Sequence, residues 1–207
     1  MASEGFPTSD AIGGLSALIT RAAEQSDGKK RGLPPVELWN PAFCGDIDLE
    51  IRGDGSWYYM GTPIGRQPLV RLFSTVLRKD EDGKTYLVTP VEKLGIRVED
   101  AHFVAVEVDK SLRDSEPVLT FRTNVGDVVE AGADHPLSFV VKAGSGEWKP
   151  YLRVRGRLDA LVSRAVTYEL AEMGDIETIE GVDTFCLRSN GALFPIMPAD
   201  ELDALSR

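Results

Sequence analysis

The sequence predicts an α+β protein of two related halves, each a twisted sheet curling around one helix. Three observations carry that expectation. The order hairpin, helix, strands occurs twice along the 207 residues. Helix and strand signals do not alternate as βαβ crossovers would require, so a parallel doubly wound sheet is not expected. Gly55-Ser56-Trp57 precedes Gly65-Arg66 by the same interval as Gly146-Glu147-Trp148 precedes Gly156-Arg157, which is how a diverged duplication reads. Matching Arg66-x-x-Leu69-x-x-Leu72 to Arg155-x-x-Leu158-x-x-Leu161 requires a different offset, so two unrelated α+β halves stay open as the alternative. The expected division is 1–34 for an N-terminal helix and linker, 35–109 for the first half and 110–207 for the second.

Taken in order, Ile12, Leu15, Leu18, Ile19 and Ala22 recur at helical spacing within Ser9–Gln25, behind a Ser9 or Asp10 cap. Ser26 to Gly32 is too polar and glycine-rich to pack, and Pro34-Pro35 ends this tether in extended backbone. From Asp46 the period becomes two: Ile47, Leu49 and Ile51 alternate with Asp48, Glu50 and Arg52, and Gly53-Asp54-Gly55 turns the strand back into Ser56–Met60. Pro68 suits a first helical turn, and Leu69, Leu72, Phe73, Val76 and Leu77 complete an apolar stripe. Strands follow at Thr85–Thr89, Gly95–Glu99, His102–Asp109, Pro117–Thr123, Asp127–Glu130 and Leu137–Lys142. A second helix is expected from Gly156 to Met173, where Leu158, Leu161, Val162, Ala165, Val166 and Leu170 form its stripe and Gly174 its end. Asp183–Arg188 and Ala192–Met197 flank Asn190-Gly191, a strong hairpin signal.

Composition bounds the function. With 43% hydrophobic and 27% charged residues the chain is of the soluble globular class, and 33 acids against 23 bases give a net charge of −10. That charge repels a phosphate backbone, so nucleic-acid binding is not expected. No run is long and apolar enough to cross a membrane, and Met1 to Gly32 has no apolar core for a signal peptide, so a cytoplasmic protein is expected. Cys44 and Cys186 then read as reduced thiols. The chain lacks G-x-S-x-G, G-x-x-x-x-G-K-[ST] and G-x-G-x-x-G, and two isolated histidines carry no metal-ligand spacing. Neither a catalytic constellation nor a metal or other cofactor is expected. His102 shares an apolar face with Val104, Val106 and Val108 and reads as a core histidine.

Charge is most localised in Lys149–Arg164, where Lys149, Arg153, Arg155, Arg157 and Arg164 oppose Asp159 alone. If 150–154 is extended, Arg153 and Arg155 share a face and suit a phosphate or carboxylate. The other reading pairs this basic stretch with the acids just downstream, Glu169, Glu172, Asp175, Glu177, Glu180 and Asp183. Arg71 and Arg78 share a helical face, as do Arg157 and Arg164, and a solvated face is the ordinary reason. Three polar clusters stand at strand ends: Thr89-Pro90-Val91-Glu92-Lys93, Thr123-Asn124-Val125-Gly126-Asp127 and Asp134-His135-Pro136. Each either offers hydrogen bonds to a ligand or is simply turn chemistry. Trp57, Tyr59, Trp148 and Tyr151 either stack on a flat ligand or fill the core.

The ordered string Cys44-Gly45-Asp46-Ile47-Asp48, Asp54-Gly55-Ser56-Trp57, Gly61-Thr62-Pro63-Ile64, Leu72 to Arg78 and Val88-Thr89-Pro90-Val91-Glu92-Lys93 resembles a bacterial family, domain of unknown function 1285. Thr123 to Asp127, His135-Pro136-Leu137, Pro150-Tyr151 and Gly191-x-Leu193-Phe194-Pro195 fit it as well, so the resemblance spans residues 34–198. It implies duplicated helix-plus-β-roll units, the second similar to a pleckstrin-homology fold, with a small-ligand cleft between halves and a signalling role. It carries over no catalytic residue, and it makes Trp57, Thr89, Glu92, Lys93, Asn124, Asp127 and His135 candidates for lining that cleft. The expected function is therefore a regulatory module binding a small anionic, nucleotide-like ligand between the halves, with Lys93 and Arg155 supplying charge and Trp57 or Tyr151 stacking on a base. An enzyme acting on a small anionic substrate and a protein-interaction module are the alternatives.

Overall fold

The computed structural model describes residues 32–141 and 148–201. The helix expected over Ser9–Gln25, and Gly146-Glu147 of the repeat, lie outside those residues. Two compact units result, one of the residues up to Asp100 with Gly156–Leu158, the other of Ala101–Arg155 with the residues from Asp159 onward. The boundary expected after Asp109 falls inside an unbroken strand, β7 (Phe103–Arg113); the units divide instead between Asp100 and Ala101.

In the first unit, β1 (Phe43–Ile51), β2 (Trp57–Tyr59) and β3 (Thr62–Pro63) form one antiparallel meander, and β4 (Leu77–Lys79), β5 (Thr85–Val88) and β6 (Lys93–Val98) form another. A parallel pairing of β1 with β6 joins them into one six-stranded sheet of order β3-β2-β1-β6-β5-β4. The Gly53-Asp54-Gly55 turn forms where the pattern placed it: Gly55 takes φ +80°, which glycine adopts without strain. There the Asp54 carboxylate accepts the Ser56 hydroxyl and N–H, bonds that hold it below the ordinary carboxylate range. Helix α1 (Gln67–Thr75) starts with Pro in its first turn and buries Val70 and Phe73, the latter stacked on Trp57.

That helix is shorter than the apolar stripe implied. Ser74 and Thr75 hydroxyls donate to the Arg71 and Leu72 carbonyls, the backbone leaves the helix at Val76, and Leu77 pairs with Leu87 as the start of β4. Arg78 is consequently a strand residue and buried. The expected solvated helical face shared with Arg71 does not exist.

The second unit repeats the plan. Strands β7, β8 (Glu116–Thr123) and β9 (Val128–Glu130) are followed by β10 (Leu137–Val141), β11 (Trp148–Arg155) and β12 (Leu158–Val162), in the order β10-β11-β12-β7-β8-β9. As in the first unit, the first strand of the six pairs in parallel with the last, here β7 with β12. The expected helix over 156–173 is corrected by this pairing. Leu158, Ala160 and Val162 fit a strand period as well as a helical one, and alignment with Phe103, Val104 and Ala105 decides for the strand. Only then does Ser163 cap α2 (Arg164–Met173) by accepting the Val166 N–H. A three-stranded antiparallel sheet follows: β13 (Asp175–Ile179), β14 (Val182–Ser189) and β15 (Ala192–Pro198). Asn190 and Gly191 both take positive φ, the geometry the Asn-Gly signal required.

The two halves are thus similar and β-rich, but the helix sits between the third and fourth strands in one and after the sixth in the other. The recurring hairpin-helix-strand order is not the true correspondence. With α-helices of 9 and 10 residues, the described residues are mostly β rather than evenly α+β.

Candidate functional site

Alternation along β11 governs the second unit's polar face. Pro150, Leu152 and Val154 are buried, whereas Tyr151, Arg153 and Arg155 stand together on the opposite, half-buried side. Arg155 Nη1 donates to Asp127 Oδ2 at 2.7 Å, and its guanidinium lies 4.8 Å from the centre of the Phe103 ring. Arg153 Nε donates to Asp159 Oδ1 on β12. Neither arginine is matched in these pairs to the acids downstream of Arg164, of which Glu177 pairs with Arg188. Within the basic stretch, Arg153 and Arg155 thus meet carboxylates that lie outside the acidic run, Asp159 and Asp127.

Asp127 is placed by the turn that precedes it. Gly126, at φ +94°, lets the Asp127 N–H reach Thr123 Oγ1 and the Gly126 N–H reach the Thr123 carbonyl. Asn124 in the same turn exchanges two bonds with Val104, accepting its N–H on Oδ1 and donating its own N–H to the Val104 carbonyl. Asn124 therefore stands in for a strand partner. His135 Nδ1 lies 3.1 Å from the Arg153 carbonyl, and the Arg153 N–H donates to the Pro136 carbonyl, which fastens the His135 loop to β11. His102 is a core histidine as expected, its Nδ1 accepting the Asp159 N–H. Of the nine residues singled out in the sequence, five are in this unit: Asn124, Asp127, His135, Tyr151 and Arg155. Among them only Asp127 and Arg155 are joined by an ion pair.

The other four belong to the first unit. Thr89 Oγ1 accepts the Val91 and Glu92 N–H groups, and the Thr89 N–H donates to the Glu92 carbonyl, so this cluster performs turn chemistry. Lys93 Nζ meets Asp80 Oδ2 at 3.1 Å above the Tyr86 ring. Trp57 is 2% exposed with Phe73 across its face, which makes it a core aromatic and not a platform for a base.

Sequence reasoning missed the network around Lys93. Arg78 Nη1 donates to the Val36 and Trp39 carbonyls while its Nε meets Asp80 at 2.6 Å. Burial alone would raise the Asp80 carboxyl, but the hydrogen bonds from Arg78 and Lys93 outweigh it and hold the group below the carboxylate range. Tyr86 donates its hydroxyl to Asp82, which, with desolvation, pushes its pKa up to about 12. The available signal was strand alternation, since Arg78 and Asp80 two residues apart share a face once the helix is stopped at Thr75. Among the described residues no three His, Cys, Asp or Glu side chains converge as metal ligands, and no helix is long and apolar enough to cross a membrane.

Comparison with protein families accounts for both units. Residues 34–101 match the N-terminal domain of DUF1285, a domain of unknown function, and residues 102–196 match its C-terminal domain. The chain belongs to the DUF1285 family. The boundary between the two DUF1285 domains coincides with the division of the fold, within one residue of Ala101. A crystal structure of a DUF1285 family protein from Silicibacter pomeroyi is 46% identical, covering 90% of this chain and 97% of that one, with a TM-score of 0.77. Another, from Shewanella baltica, is 24% identical over 60% of this chain and 90% of that one, with a TM-score of 0.47. No curated protein matches the chain.

Proposed function

We propose that the chain is a regulatory module that binds a small anionic, nucleotide-like ligand on the polar face of the second unit's sheet, with no reaction catalysed there. One observation carries the reading: Tyr151, Arg153 and Arg155 stand on one face of β11, and each arginine is already oriented by a carboxylate, Asp159 or Asp127. Guanidiniums held in place lose little freedom on gripping a phosphate, which favours an anion through bidentate hydrogen bonds. Tyr151 on the same face supplies an aromatic surface for a base. We also read six strands followed by α2 as a pleckstrin-homology-like unit, and the recognition role rests on the β11 face rather than on that fold.

Calorimetric titration of the full chain with a nucleotide panel tests this. The reading expects a binder whose affinity falls about tenfold or more in Arg155→Ala, as loss of one charge-assisted hydrogen bond of about 1.5–3 kcal/mol requires. The exposed Arg97→Ala is the matched control; Arg78, first expected to be exposed, is structural and cannot serve. Equal affinity in Arg155→Ala and Arg97→Ala, or turnover of a bound nucleotide, defeats the reading.

A further inference from the structure

The third sheet ends in an open strand. Its order is β13-β14-β15, and among the described residues β13 pairs with β14 alone. Such an edge presents a row of backbone donors and acceptors to any extended chain that can approach it. Apolar side chains stand exposed at this corner: Ile176 is 57% exposed on β13, and Val182, opposite Ile179, is 52% exposed. Acids surround them. Asp175 and Asp183 are exposed on the sheet, Glu180 in the turn between β13 and β14, and Glu169 and Glu172 on the preceding α2. The nearby bases are committed elsewhere, Arg188 to Glu177 and Lys110 to the Met173 carbonyl.

We propose that the β13 edge is a docking site for an extended basic peptide segment of a partner protein, added as a fourth strand of the sheet. The charge pattern selects that occupant and rejects the commonest competitor. A second copy of the chain pairing antiparallel along this edge would set Asp175 against the Glu180 end of the partner's strand, and like charges facing each other across paired strands are unfavourable. Alternation along β13 sets Asp175 on one face and Ile176 on the other, so a partner strand alternating basic and apolar residues meets Asp175 with one set of side chains and Ile176 with the other.

A fluorescein-labelled octapeptide of alternating lysine and valine, titrated into the full chain by anisotropy, tests the proposal together with a copy N-methylated at alternate amides. N-methylation keeps the charge and removes the backbone donors. The expected results are saturable binding, at least about tenfold weaker binding of the N-methylated peptide, a similar loss in Asp175→Lys/Glu180→Lys, and slowed amide exchange at 176–179 in the complex. Equal binding of both peptides means adsorption to a −10 protein and overturns the proposal, as does unchanged affinity in the double variant. Self-association of the unliganded chain that protects the 176–179 amides also overturns it, because the edge then belongs to a second copy. The exchange arm uses unmodified protein, so a variant that fails to fold leaves the question decided.

Discussion

Arg78 shows how one side chain changes meaning with its backbone. Read as helical it is a dispensable surface charge. As the middle residue of β4 it donates to the Val36 and Trp39 carbonyls, ties down the segment before β1 and ion-pairs with Asp80. Replacing it with alanine leaves the buried Val36 carbonyl and the part-buried Trp39 carbonyl without this donor and Asp80 with Lys93 as its remaining cationic partner. Arg78→Ala is expected to cost about 3 kcal/mol in urea unfolding, and a midpoint equal to that of Arg97→Ala would refute this. Tyr86 gives the same network a pH signature. Its folded pKa of about 12 lies above the ordinary tyrosine value of 10.0, so the folded state holds the phenol proton more tightly. The associated stability is complete below pH 10 and lost between pH 10 and 12 as the pH rises. Tyr86→Phe should flatten that alkaline decline. At the acidic end the sign reverses: Asp80 sits below its ordinary 3.8, so its contribution is present above that value and fades as pH falls beneath it, and Asp80→Asn should make the acid decline shallower while Asp54 keeps its share. Neither slope was legible in the sequence, because both depend on which residues β4, β5 and β6 bring opposite one another.

At the scale of elements, what could be read depended on whether one period was unambiguous. Ile47, Leu49 and Ile51, the Gly53-Asp54-Gly55 turn and the Asn190-Gly191 hairpin carried single, consistent signals, and each is found where expected. Leu158 to Val162 carried two, and the outcome was set by β7, a partner more than forty residues away that no local window contains. The polar face of β11 was partly legible for the same reason: alternation placed Arg153 and Arg155 together, but their partners Asp127 and Asp159 come from other elements. The junction of α2 with β13 offers a test. Gly174 has an ordinary φ of −79°, yet a Cβ there would run into the buried Phe185 ring and lie 3.1 Å from the Cys186 carbonyl. Gly174→Ala should therefore destabilise by overpacking, about 1–3 kcal/mol, without any backbone strain. Ser189 is fully buried, accepting the Leu119 N–H and donating to the Ala131 carbonyl, so it pins the third sheet to β8. Ser189→Ala should cost about 1–3 kcal/mol by orphaning both groups, and thermal unfolding no different from an exposed Ser138→Ala would contradict that.

For the molecule as a whole, the governing feature is that each six-stranded sheet is joined at its centre by pairing its first strand with its last. Neither β1–β6 nor β7–β12 can form until about fifty residues of intervening chain have been folded back, and that loop closure comes before the contacts that reward it. Refolding from urea should accordingly take milliseconds to seconds in stopped-flow fluorescence, and a microsecond phase carrying the full amplitude would contradict it. The same pairing sets how the first sheet answers tension. Phe43 opens β1 and Val98 closes β6, and because the strands run side by side in one direction, these points lie at opposite ends of the shared ladder. Pulling them apart loads the evenly spaced bonds of the ladder in shear, so that many must rupture together. Pulling instead between Phe43 and Tyr59, across the antiparallel β1–β2 pair, opens the bonds one after another like a zipper. The fold thus contains a mechanical clamp: drawn from its two ends the first sheet resists by sliding friction between strands, whereas drawn through its hairpin it peels at far lower force.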